Sequence, residues 1–114
     1  MPDQTVRELV RSIQQEIRVT DLVPTRAAEL LMQLTVLMGN VNDEIRQADA
    51  DYAEILLMAL ESSEKANRAR IRAETTPAYR RKREARDTKE LVVELVRSLK
   101  YLLRSVEEEM RLAR

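Results

Sequence analysis

The chain of 114 residues contains no Cys, His, Trp or Phe, and only one Gly and three Pro. Without Cys or His there is no zinc-ligand set, no disulfide framework, no thiol nucleophile and no Ser-His-Asp triad. The missing cysteines leave the redox compartment open, since a thiol-free chain is viable anywhere. No apolar run exceeds the six residues of 55–60, ILLMAL, far below the ~20 that a membrane-spanning helix needs. The first residues, MPDQTVRELVRSI, lack the apolar stretch of a signal peptide and carry acidic groups early. These absences predict a soluble, cytoplasmic chain without a membrane partner. One domain is the ceiling at this length. What remains is 44% apolar and 35% charged residues, the composition of long helices.

With so few breakers, the breaks that do occur organise the chain. Val6, Leu9, Val10, Ile13 and Ile17 recur at helical spacing and predict a short amphipathic first helix over residues 3–18. The stretch from Val19 to Pro24 ends it, because a residue before proline is pushed out of the α region. A second helix is expected over 25–74, since no strong stop comes before Thr75-Thr76-Pro77. There Thr76 can cap a third helix, 77–113, while Pro77 takes its first position, where a missing N–H costs nothing. The seams of helices two and three are nearly heptad, so they should pair as an antiparallel coiled-coil hairpin in an all-α fold. A tight turn at 75–77 would bring Ala66 level with Ala85, Ile55 with Val96 and Val41 with Met110. Gly39-Asn40 offers a possible break in helix two.

Two regions carry more apolar surface than a two-helix seam can bury. Nine of the twelve residues of 27–38 are apolar, and ILLMAL would lie level with LVVELV at 91–96. A helix that is apolar all round is buried on several sides. The sequence therefore predicts a homo-oligomer, with Leu30, Leu31, Leu34, Leu37, Met38, Leu56, Leu57, Leu60, Val93 and Val96 at its interface. The alternative is that helix one folds back over mid-hairpin. Met32, Met38 and Met58 read as core filler, and Tyr52 and Tyr101 as packing residues.

Twenty basic residues balance twenty acidic ones, but not evenly along the chain. Residues 40–64 hold one basic and seven acidic groups, whereas residues 65–89 hold ten basic and three acidic. The basic segment comprises Lys65, Arg68, Arg70, Arg72, Arg80, Arg81, Lys82, Arg83, Arg86 and Lys89. It is mostly arginine, whose planar fork suits phosphate contacts. Small seam residues (Ala66, Ala69, Ala73, Ala78, Ala85) would make this end a thin, positively charged prong, with Tyr79 placed to stack on an unpaired base. Such a prong would bind a phosphate backbone without reading sequence. Three readings of the charge stand side by side. It is a nucleic-acid surface, or a solvated tip whose arginines pair with Glu74, Glu84 and Asp87, or an assembly device that meets the acidic segment of another protomer or an acidic partner protein.

Residues 40–111 combine an acidic helix through Asp49, Asp51 and Tyr52, a Lys/Arg/Ala-rich stretch, a short break and a returning amphipathic helix with a mixed-charge tail. This layout resembles the small helical recombination-mediator, single-strand-DNA-binding family of T-even phages. The resemblance implies an all-helical, ring-forming protein that binds single-stranded DNA through basic surface and helps load a recombinase partner. It carries over no residue beyond the basic cluster. Glu61-x-x-Glu64 and Glu84-x-x-Asp87, level in the expected hairpin, are similar to the paired acidic motifs with which all-α nucleotide pyrophosphohydrolases of the MazG type hold Mg²⁺. The surrounding basic groups and the incomplete acidic pattern weigh against that activity. Ser62 and Ser63 have no His to activate them. The expectation is a non-enzymatic protein with no metal and no cofactor.

Overall fold

The computed structural model describes residues 4–62 and 65–113. They form four helices and, among the described residues, no strand: α1 (Val6–Val19), α2 (Pro24–Glu61), α3 (Ala66–Glu74) and α4 (Pro77–Leu112). The molecule is elongated, 72 × 34 × 21 Å. The all-α class and the pairing of two long helices agree with the sequence. The position of the chain reversal does not.

Helix α1 starts on a capping box. The Thr5 hydroxyl accepts from the Glu8 N–H at 3.1 Å, and the Glu8 carboxylate accepts from the Thr5 N–H at 3.4 Å. This satisfies two of the donors that every helix start leaves orphaned. The helix ends at Val19, and Pro24 sits in the first turn of α2. Across this short connection Arg26 donates to both oxygens of Glu16, at 2.6 and 2.8 Å, and to Glu29 at 3.0 Å. A bidentate fork of this kind sets an orientation as well as adding energy. It pins α1 back against α2.

Helix α2 runs unbroken through Gly39-Asn40. It stops at Glu61, where the sequence predicted continuation to residue 74. The Ser62 hydroxyl donates to the Ala59 carbonyl at 2.7 Å, and Lys65 is extended. Ser63 and Glu64 lie outside the described residues, as does Asp3, the first residue of the expected helix one. Helix α3 then runs back along the last turns of α2. Its Ala69 and Ala73 are fully buried, and the charges of Arg70 and Glu74 reach Tyr52. The chain thus reverses between α2 and α3, not at 75–77. Thr75-Thr76-Pro77 is an interruption inside the returning arm, with the chemistry the sequence predicts: Thr76 accepts from the Tyr79 N–H at 3.4 Å and Pro77 opens α4.

The earlier turn shifts the register by about five helical turns. Asp49 meets Arg86 at 2.8 Å, Asp51 lies 3.9 Å from Arg81, and the Tyr52 and Tyr79 rings are 5.4 Å apart. Val41 shares the core with Val92 rather than lying beside Met110, which is 63% exposed. The physical reason is burial. A turn at 75–77 would leave the apolar start of α2 without a long partner. With the reversal before α3, α3 and α4 together run over the whole of α2.

The core confirms this. Leu30, Leu34, Leu37 and Val41 of α2, Val92, Leu95 and Leu99 of α4, and Val10 and Ile13 of α1 form one buried cluster. Leu30, Leu34 and Leu37, expected at a subunit interface, are therefore spent on the chain's own core, because α1 and α4 cover them. Thr88 is the one polar side chain buried among the described residues, and its hydroxyl donates to the Glu84 carbonyl at 2.8 Å.

Two stability outcomes follow. Leu34→Ala should cost about 2–5 kcal/mol, as for other fully buried leucines, while Met110→Ala should stay within roughly 0.5 kcal/mol. A Cβ on Gly39 would meet nothing within 4 Å, so Gly39→Ala should stabilise by about 1 kcal/mol. Urea denaturation midpoints at constant m read all three.

Candidate nucleic-acid interface

The hairpin end carries the basic segment on two supports. Helix α3 is buried against the hairpin through Ala69 and Ala73, and its longer side chains stay exposed. Lys65, Arg68, Arg70, Ile71 and Arg72 are all exposed. The first turns of α4 present Arg80, Arg81, Arg83, Arg86 and, further on, Lys89, also exposed. Arg80 and Arg83 border a groove with Tyr79, Thr75, Thr76, Glu74, Glu84 and Asp87, where α3 gives way to α4.

The new register sets this segment against the acidic stretch of α2. Arg86 donates to Asp49, and Arg81 pairs loosely with Asp51. The charge asymmetry of the sequence is thus partly neutralised within one chain. Both pairs are more than a third exposed, so each contributes no more than about 1 kcal/mol. Their effect is on the charge left for a partner. Arg72 is also engaged. Arg68, Arg70, Arg80 and Arg83 form no ion pair within 4 Å among the described residues.

Tyr79 and Lys82 turn inward, which the sequence did not indicate. The two tyrosine rings are tilted at 42°, and the Lys82 ammonium lies 4.4 Å from the centre of the Tyr52 ring. A cation over an aromatic face is attracted by the ring quadrupole. Tyr79, half-buried, has part of its ring committed to Tyr52. The signal for Tyr52 was its seam position, but its ring partners depended on the register.

A second polar groove lies where the start of α1 meets α2 and α4, lined by Thr5, Arg7, Glu44, Gln47, Asp51, Arg81 and Glu84. It mixes both signs of charge. No group of three or more acidic residues is placed to hold a metal ion among the described residues. Glu84 and Asp87 lie opposite the middle of α2, well down the hairpin from Glu61. Glu64 lies outside the described residues. The level pairing of acids expected for a Mg²⁺ site is overturned by the same register shift. Among the described residues no helix is long and apolar enough to cross a membrane.

Burial, aided by Glu74 and Tyr79 and opposed by Arg70, raises the Tyr52 phenol above its ordinary value of 10.0. A raised acid favours its neutral form, so this contribution to stability is full below the ordinary value and lost as pH rises through the folded one. In alkaline melts Tyr52→Phe should flatten the fall in stability above pH ~10. An unchanged alkaline fall would show that Tyr52 is not desolvated. Compared with known proteins, the chain matches no family model, no curated protein and no solved structure.

Proposed function

We propose that this chain is a non-enzymatic nucleic-acid-binding protein that holds the phosphates of a single strand on its basic hairpin end. The observation that carries this reading is that Arg68, Arg70, Arg80 and Arg83 remain exposed and without an acidic partner among the described residues, although Arg81 and Arg86 are paired. Guanidinium groups left free on two helices at one end of a long molecule suit a flexible phosphate chain. The resemblance to phage recombination mediators favours single-stranded DNA and an accessory role beside a recombinase. The exposed Ile71, between Arg70 and Arg72, favours a second reading in which the same end meets an acidic protein surface that also carries apolar residues.

Fluorescence anisotropy with a labelled oligonucleotide across a salt series separates the two. Binding should weaken linearly in log–log form, by about 0.7 per phosphate contact for a single strand. The double variant Arg80→Ala/Arg83→Ala should lower that slope by roughly 1.4. Arg81→Ala should change it less, and Ile71→Ala should leave it unaltered. No binding at ~50 mM salt, or a slope unmoved by the double variant, would reject the nucleic-acid reading.

A further inference from the structure

We propose that a second copy of this chain covers the face of α2 and α4 opposite α1, in an antiparallel two-fold dimer. On α2, Leu31, Met38, Ile45, Asp49, Leu56 and Leu60 follow one another at steps of seven and four and so share one face. On α4, Arg86, Val93, Val96, Lys100 and Leu103 follow at steps of seven, three and four and share one face. The ion pair between Asp49 and Arg86 bridges the two rows, which places them on the same side of the helix pair. Helix α1 lies on the other side, where its residues share grooves with Gln47, Asp51, Thr88 and Leu91.

Among the described residues nothing finishes covering this face. Leu31, Met38, Ile45, Leu56, Val93, Val96 and Leu103 are only half-buried, and Leu57 and Leu60 are exposed. Leu31, Met38, Ile45, Val96 and Leu103 pack on the core from one side and leave the other to solvent. Seven of the ten residues expected at an oligomer interface lie here: Leu31, Met38, Leu56, Leu57, Leu60, Val93 and Val96.

Three features select a second copy as the occupant. The first is area. From Leu31 to Leu60 the α2 row is about 43 Å long, and from Arg86 to Leu103 the α4 row is about 26 Å long, each roughly 9 Å wide. This gives on the order of 600 Å² per copy, the lower end of the range of specific interfaces. The second is pattern. A two-fold interface is formed by the same patch of both copies, and an axis beside residues 45–46 sets the leucines at the two ends of the α2 row against each other. In the antiparallel arrangement Leu31 meets the partner's Leu60, Met38 meets the partner's Ala53, and Asn42 meets the partner's Asp49. The third is charge. A parallel dimer would set two strongly basic ends side by side, whereas the antiparallel one sends them to opposite ends.

The test needs no nucleic acid, so its outcome is separate from that of the binding assay. Sedimentation at ~100 µM, well above the micromolar limit of interfaces this size, should give twice the chain mass of 13.3 kDa. Leu60→Asp should raise the dissociation constant at least about tenfold with helix content unchanged, and Met110→Asp should not. If Leu60→Asp loses helix, Leu57→Asp serves in its place. Because the chain has no Cys, a single Arg46→Cys near the two-fold axis should be joined to its copy by a short thiol cross-linker, and Arg11→Cys on α1 should not. A monomer at that concentration, an assembly of more than two copies, an unaffected face variant, or equal cross-linking at both positions would overturn the proposal.

Discussion

Everything in this fold depends on α4 lying over the full length of the apolar seam of α2. Burying a leucine or valine side chain contributes about 1.5–3 kcal/mol, and seven such residues of these two helices meet in the core. The ion pairs on the same helices are exposed, and each contributes no more than about 1 kcal/mol. Apolar packing therefore sets the register and the charges follow it. Helix α1 completes the core with Val10 and Ile13, held by the Arg26–Glu16 fork.

That register divides the basic residues into two groups with different roles. Arg81, Arg86 and Lys82 face α2 and are taken up by Asp51, Asp49 and the Tyr52 ring. Arg68, Arg70, Arg80 and Arg83 stay exposed and form no ion pair among the described residues. A partner meets only the second group. The same register leaves one long side of the α2–α4 pair half-covered, since the single short helix α1 can lie on only one side. Phosphate binding at the end and self-association along the side are thus compatible, because they use different surfaces.

Much of the fold was legible in the sequence. The spacing of Val10 and Ile13, of Leu30, Leu34, Leu37 and Val41, and of Val92, Leu95 and Leu99 marked the core-facing stripes. Thr76-Pro77 marked the start of α4. The reversal was hidden because residues 62–65 contain no Gly or Pro, whereas Thr75-Thr76-Pro77 is a strong local break. Local chemistry shows where a helix can end, but which end becomes the turn is decided by how much apolar surface the two choices bury. The pairing of Arg86 with Asp49, the inward turn of Tyr79 and the separation of Glu61 from Glu84 all inherit that non-local decision. The basic cluster was visible from composition, but not which of its members were already paired.

The register can be measured directly by the distance between two spin labels. With cysteines introduced at Asn42 and Glu90, both exposed on the long helices, the labels should lie within about 20 Å, as for neighbours on packed helices. With cysteines at Asn42 and Met110 they should be farther apart by roughly 30 Å, the rise of twenty helical residues. A shorter distance for the second pair than for the first would place the reversal at 75–77 and contradict this packing.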